Sequence, residues 1–436
     1  MANIFCLMSG MRTEQSLFSN NLFNNFVTFS ELTHLLITLI RRYESNMKHT
    51  SKIITLIPLI LLGLSGCNES SKKETMLDPE LVAQGKEIFR FDTFGDEQLW
   101  TDTLQLHNVV AGAVDPVTAL SVGLKVDSEV LPEGVLQTVA LPAPATTITL
   151  LKLNAVVGLQ GDVQEINGKD TLVSLGTTCA LCHSTVDDSV APGIGKRLDG
   201  WANRDLNPGV ILSLSPALQD QATQDVLLSW GAGKYDAYWN QDGLNDPTVI
   251  PPAYGLKDVA LATYTGEGSI SYWNAYVAVT QMGAQGNFVD DRLGLNIMHD
   301  PDLVTDKLPA LEAYQFSLNA PKAPQGSFDI DASNRGKIVF NNQGNCSACH
   351  SGDNFTDADT QLHYPDVIGT DSTLASRSFT GKYRTTPLAG VWQHPPYFHD
   401  GSAATLLDVV EHYNNHFALG LMPSEKDDLV QYLLSL

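Results

Sequence analysis

The five-residue string Cys-x-x-Cys-His occurs twice, as Cys179-Ala180-Leu181-Cys182-His183 and as Cys346-Ser347-Ala348-Cys349-His350. Two thiols three positions apart can each form a thioether to a porphyrin vinyl group. The adjacent imidazole then becomes the proximal iron ligand, which is the attachment chemistry of a c-type haem. Two such strings predict two covalent haems on one chain, and a fold that encloses both. The competing readings are a structural zinc held by thiolates, and disulfides or thioredoxin-like redox pairs. The span from Cys182 to Cys346 far exceeds a zinc-knuckle spacing, and neither alternative accounts for the histidine after both pairs.

The chain has six cysteines, so only Cys6 and Cys67 lie outside the two strings. Cys67 ends Leu64-Ser65-Gly66-Cys67, behind an apolar run from Ile53 to Leu64 and a basic stretch with Lys48 and Lys52. A basic region, an apolar run and small residues before the cut are what export and processing require, and the segment resembles a bacterial lipoprotein signal peptide. The run is short and is interrupted by Pro58, which argues against a spanning helix. The expectation is an upstream extension over 1–46 from a mis-called start, a signal peptide over 47–66, lipidation at Cys67 and a polar tether over 67–77. An uncleaved anchor using Leu35 to Ile40 is the alternative. Processing would place the protein in the periplasm of a Gram-negative bacterium, lipid-anchored to the outer or inner membrane, with Asn68 leaning towards the outer.

The formal charge is −23, and loss of residues 1–66 removes five Lys/Arg and three Asp/Glu, leaving about −25. Such a field disfavours nucleic acid and anionic lipid as partners. It favours a small basic electron-donor or acceptor protein, or simply keeps the chain soluble.

The sequence also repeats itself beyond the haem strings. Gly85-Lys86-Glu87-Ile88-Phe89 matches Gly336-Lys337-Ile338-Val339-Phe340, and Leu311, Tyr314, Ser317 and Leu318 match Leu429, Tyr432, Ser435 and Leu436 at the same spacing. Apolar residues three and four apart mark helices, and Pro423, Ser424 and Glu425 make a helix start. This layout resembles cytochrome c domains, in which a terminal helix crosses an N-terminal one. The predicted fold is mainly α: two cytochrome c-like domains in tandem, at 78–318 and 333–436, joined by a Pro-containing linker over 319–332. The first domain carries a large insertion over about 90–170, because Phe340 lies close before Cys346 whereas Phe89 lies far before Cys179. Within the insertion Phe91 to Val110 reads as a helix; the residues assign the insertion no function beyond covering the first haem.

Tyr383-Arg384-Thr385-Thr386-Pro387-Leu388, followed by Pro395-Pro396-Tyr397-Phe398-His399-Asp400-Gly401-Ser402-Ala403-Ala404-Thr405-Leu406, resembles the bacterial di-haem cytochrome c peroxidase family, including its methylamine-utilisation relatives. The resemblance is clear over 333–436 and weaker before it. It implies hydrogen peroxide as a substrate and is compatible with a homodimer.

A haem iron held by His183 or His350 has a sixth position whose occupant decides between electron transfer and chemistry. For the second haem the candidates are Tyr413, Met422, His412, His399 and His394. The resemblance places Tyr413 where family peroxidases carry methionine and the tryptophan-oxidising relatives carry tyrosine. For the first haem the favoured ligand is Met282, with His107, Met298 and His299 competing. His399 is a candidate general base towards peroxide, or a holder of a propionate or loop. Trp230 and Trp392 are candidate bridges between the haems, or core packing. The expected function is electron transfer by an exported di-haem c-type cytochrome. The alternatives are a peroxidase and a non-catalytic haem subunit of a respiratory complex.

Overall fold

The computed structural model describes residues 77–135 and 142–436. The proposed leader, signal peptide, Cys67 and most of the tether lie outside them. The described chain is mainly helical, with five two-stranded sheets. No helix among the described residues is long and apolar enough to cross a membrane.

Two helix crossings frame the molecule. Asp78 caps the Pro79–Phe91 helix by accepting from the Glu80 amide, with Pro79 in the first turn where its missing N–H costs nothing. This helix packs against Leu308–Ser317, and Asp329-capped Ile330–Asn341 packs against Pro423–Ser435. The repeated residues make the same contacts in both. A Cβ on Gly85 would lie 1.9 Å from the Ala310 carbonyl oxygen, and one on Gly336 would lie 2.0 Å from that of Asp428, so only glycine lets the helices approach this closely. One turn on, Phe89 meets Tyr314 edge-on at 5.4 Å, and Phe340 meets Tyr432 edge-on at 5.2 Å.

The segment read as one helix from Phe91 to Val110 is broken. The first helix ends at Phe91, a π-helical turn runs over Gln98–Thr103, and a new helix spans Leu106–Ala113. Phe94 and Gln105 both take φ near +54°, which no right-handed helix accommodates, and the Asp92 side chain stabilises the first bend by accepting from the Phe94 amide at 2.8 Å. Beyond it, Leu159–Ile166 and Lys169–Thr177 form an antiparallel hairpin. The second strand runs directly into Cys179.

Residues from the second half pack onto the first. Arg377 forms a fully buried ion pair with Asp236 at 2.9 Å, the His399 carbonyl accepts from the Val249 amide at 2.8 Å, and the Arg384 amide donates to Tyr264 at 2.9 Å. Leu374, Ala375 and Tyr383 belong to the same apolar cluster as Phe89, Tyr276 and Met282.

Candidate functional site: two haem strings

The first string occupies a short helix, Ala180–His183, held against Gly158. A side chain at Gly158 would put Cβ 2.1 Å from the Leu181 Cα, and its φ of +81° is disfavoured for any other residue. His183 Nδ1 donates to the Pro251 carbonyl at 3.1 Å, leaving Nε2 as the free nitrogen. Burial pushes the imidazole pKa down to about 4, so the ring is neutral and a competent metal ligand at neutral pH. Burial also pushes the Cys179 and Cys182 thiols up to about 12, and neither is in a disulfide. Half-buried thiols held neutral are poorly suited to a redox pair, which needs an accessible thiolate.

The second string repeats the arrangement. His350 Nδ1 donates to the Phe355 carbonyl at 3.0 Å, and burial lowers its pKa. A backbone carbonyl on Nδ1 fixes the tautomer and ring orientation of a histidine that binds metal through Nε2.

Beside the first string lies an apolar cavity of about 280 Å³. Cys179, Cys182, His183 and Met282 line it, with Leu99, Trp100 and Leu104 from the segment between the first helix and the hairpin, and Leu374 and Arg384 from later in the chain. Met282, 8 % exposed, ends a π-helical turn, Val277–Met282, that continues the Ile270–Tyr276 helix. The competing first-haem ligands lie elsewhere. Met298 is 64 % exposed, His299 is exposed with Nδ1 on the Gly286 carbonyl, and His107 is half-buried outside the cavity wall.

At the second string, Tyr413 sits on the Leu406–His416 helix, and its hydroxyl is pushed up to about 12 by burial, with the Cys349 and Cys346 thiols adding to the shift. Of the second-haem candidates, Tyr413 is thus the one whose hydroxyl feels both thiols. Met422 is 62 % exposed at the start of the last helix. His412 Nε2 donates to the Ile368 carbonyl at 3.2 Å, and His394 is buried with its pKa lowered to about 4 by burial and by Arg204. His399 is buried against Tyr383, 3.2 Å from its hydroxyl, and does not line the first cavity. Of the tryptophans, Trp230 lines that cavity, whereas Trp392 donates to the Pro321 carbonyl and meets Trp201 edge-on at 6.1 Å.

A c-type haem brings two propionates, so the donor set must offer cations. Arg384, which lines the cavity, meets this requirement, and Arg204 is a second buried guanidinium outside the cavity wall, although sequence reasoning gave neither a role. Arg204 Nε and Nη1 and Arg384 Nε are buried without a hydrogen-bond partner, and no carboxylate pairs with either guanidinium among the described residues. Burial pulls the Arg384 pKa down to about 10. Buried cations without counter-charge are costly, and a propionate is the anion that this site would receive. Apolar wall, free Nε2, paired thiols and uncompensated guanidiniums together fit a covalent haem.

A second donor set lies at the other string. Cys349, Asp357 and His363 place ligand atoms within 4.8 Å of one another, a thiol, carboxylate and imidazole combination that zinc accepts. A thioether at Cys349 removes its thiolate, so the haem and zinc readings exclude each other there.

No protein-family model matches the chain, and no curated protein matches its sequence. Among solved structures it is similar to the hydrazine synthase of Kuenenia stuttgartiensis, at 19 % identity over 44 % of this chain and 73 % of that one, TM-score 0.32. It is similar to a MauG-like protein associated with microbial copper homeostasis, at 18 % identity over 43 % and 73 %, TM-score 0.32. A variant of the diheme peroxidase BthA from Burkholderia thailandensis matches at 14 % identity over 82 % and 86 %, TM-score 0.27.

Proposed function

We propose that the protein is a di-haem c-type cytochrome that transfers electrons, with haems attached through Cys179 and Cys182 and through Cys346 and Cys349. The observation that carries this reading is the matched pair of histidines, His183 and His350, each directly following its pair of thiols and each with Nδ1 on a backbone carbonyl. When bound, each haem supplies a one-electron iron couple. The chain's own residues would hold it: the thiols would anchor it, the apolar wall at the first string would exclude water, and Arg384 in that wall would meet a carboxylate. Met282 is the proposed sixth ligand of the first iron and Tyr413 that of the second. The twin helix crossings support two cytochrome c-like domains, 78–318 and 333–436, with the insertion lining the first haem cavity. The acidic charge supports a small basic electron-transfer partner, and the segment ending at Cys67 a lipid-anchored periplasmic location. A potentiometric titration of the purified protein tests the function: two one-electron steps are expected, and a haem spectrum that no mediator reduces reversibly contradicts it.

Peroxide reduction is the second reading, and Asp246 favours it. Its carboxylate lines the first cavity with Oδ2 buried and unpartnered, and burial raises its pKa. A carboxylate there can take up and return a proton of bound peroxide, whose reduction by two electrons and two protons gives two waters. Asp246→Asn lowers peroxide turnover under this reading, whereas a protein that only carries electrons turns over no peroxide in either form.

A further inference from the structure

We propose that Tyr238, Trp273 and Tyr272 form a relay that carries single oxidising equivalents from the first haem cavity to the protein surface, where a one-electron donor is oxidised. The proposal rests on a haem being attached at Cys179 and Cys182.

Tyr238 and Trp273 both line the cavity. Their ring centroids are 6.2 Å apart, and Trp273 lies 6.1 Å from Tyr272, each pair meeting edge-on. Tyr238 and Trp273 are buried while Tyr272 is partly exposed, so the three rings lead from the cavity wall towards solvent.

Edge-on aromatic pairs also occur as ordinary core packing. What packing leaves unexplained is the base beside Tyr238. The Tyr238 hydroxyl donates to Glu267, a carboxylate in the protein interior, and the Tyr272 hydroxyl donates to Asp290 at 2.8 Å. Burying a carboxylate is expensive, and a phenylalanine at position 238 would fill the same space without one. A phenol gives up an electron readily only if its proton leaves at the same time, so a buried redox-active tyrosine needs such an acceptor. Glu267 also accepts from Thr265 Oγ1 at 3.2 Å and from the Phe379 amide at 3.0 Å. Burial raises the Glu267 pKa, and the three hydrogen bonds it accepts oppose that shift. Trp273 Nε1, between the two phenols, is buried without a partner, as suits an indole that passes an electron without committing a proton. At the outer end, Arg292 is hydrogen-bonded to Asp290 and stacks over Phe379 at 3.6 Å.

The steps balance as follows. Tyr238 gives one electron to the oxidised haem and its phenolic proton to Glu267. Trp273 returns an electron to Tyr238, which recovers its proton. Tyr272 then reduces Trp273, releasing its proton to Asp290, and the external donor reduces Tyr272, which is reprotonated. The net change is one electron from donor to haem. With hydrogen peroxide as oxidant, two passes and two solvent protons yield two waters.

The test uses the full chain with its haems, as wild type, Trp273→Phe and Tyr272→Phe. Both substitutions keep an apolar ring, and haem content per chain reports whether each variant folds. In the first arm, samples are freeze-quenched after hydrogen peroxide and examined by electron paramagnetic resonance. A tyrosyl radical is expected in the wild type, weakened in Trp273→Phe and altered in line shape in Tyr272→Phe. In the second arm, photo-oxidised ruthenium tris(bipyridine) oxidises the fully reduced protein, and loss of the ferrous haem spectrum should slow by about tenfold in Trp273→Phe, the factor that ~1.4 kcal/mol on a barrier produces. Unchanged radical and unchanged rate in both variants overturn the relay. If peroxide leaves the haem spectrum unaltered, the peroxidase reading fails and the photo-oxidation rates alone decide. Absence of covalent haem overturns the relay together with the reading beneath it.

Discussion

His183 donates through Nδ1 to the carbonyl of Pro251 at 3.1 Å, a contact spanning the loop that also shapes the cavity wall. The hydrogen bond consumes the nitrogen that would otherwise compete for metal and fixes the ring with Nε2 as the remaining donor atom. His350 and Phe355 reproduce it over a span of only five residues. The same requirement is thus met by a distant carbonyl in one half and a local one in the other, as expected if the imidazole orientation, and not the loop, is what each half preserves.

Met282 provides the first prediction. Met282→Ala should abolish the weak sulfur-to-iron charge-transfer band at the red end of the ferric spectrum and, by emptying a buried site, destabilise the fold by ~2–5 kcal/mol. Met282→Leu should lose the band while costing less than ~1.5 kcal/mol. Absorption spectra and urea unfolding separate the two effects, and a band that survives in both variants assigns the sulfur elsewhere.

Arg384 should behave oppositely with and without haem. With a propionate in place, Arg384→Met strands a buried anion and costs ~3–5 kcal/mol. Without it, the substitution removes an uncompensated cation and should stabilise the chain. Since burial lowers the Arg384 pKa to about 10, the haem-free wild type should gain stability as pH rises through that value. Denaturation of holo and haem-free protein measures both.

The close helix crossings predict that Gly85→Ala and Gly336→Ala are each destabilising by ~1–3 kcal/mol, as overpacked sites are. The added methyl meets backbone carbonyls, which cannot rotate away. Thermal melts of the two variants check this, with wild-type stability in either one excluding the crossing geometry in that half.

Asp96 supplies a pH dependence. Its side chain accepts from the Thr177 amide and hydroxyl just before the first string, and burial raises its pKa from 3.8 to about 8. The folded state therefore holds a proton that the unfolded state releases, so its stabilising contribution is full below 3.8 and is lost as pH rises towards about 8. Asp96→Asn should flatten that slope in urea unfolding measured across the interval.

The haem strings were legible because their chemistry is local: two thiols and an imidazole at fixed spacing need no tertiary context to be recognised. Gly85 and Gly336 could be matched by spacing, yet the reason for glycine, a carbonyl 2 Å from where a Cβ would be, belongs to the crossing helix. The hairpin before Cys179 was missed although Asn167-Gly168, both at positive φ, is a strong two-residue turn signal. The helix read across Phe91 to Val110 failed because apolar spacing does not reveal bends held by side chains such as Asp92. Arg204 and Asp246 carried no sequence signal, and Arg384 stood in the resemblance string without a role, since what marks all three is buried polar atoms without a partner, a property of packing.

Intact-protein mass spectrometry of the purified chain, with a pyridine haemochrome spectrum of the same sample, tests the central claim most directly. The account predicts two covalent haems per chain in the wild type, one after joint replacement of Cys179 and Cys182 by serine, and one after joint replacement of Cys346 and Cys349. A wild-type chain that carries no covalent haem, or that holds zinc at Cys349, Asp357 and His363 in place of the second, would contradict it.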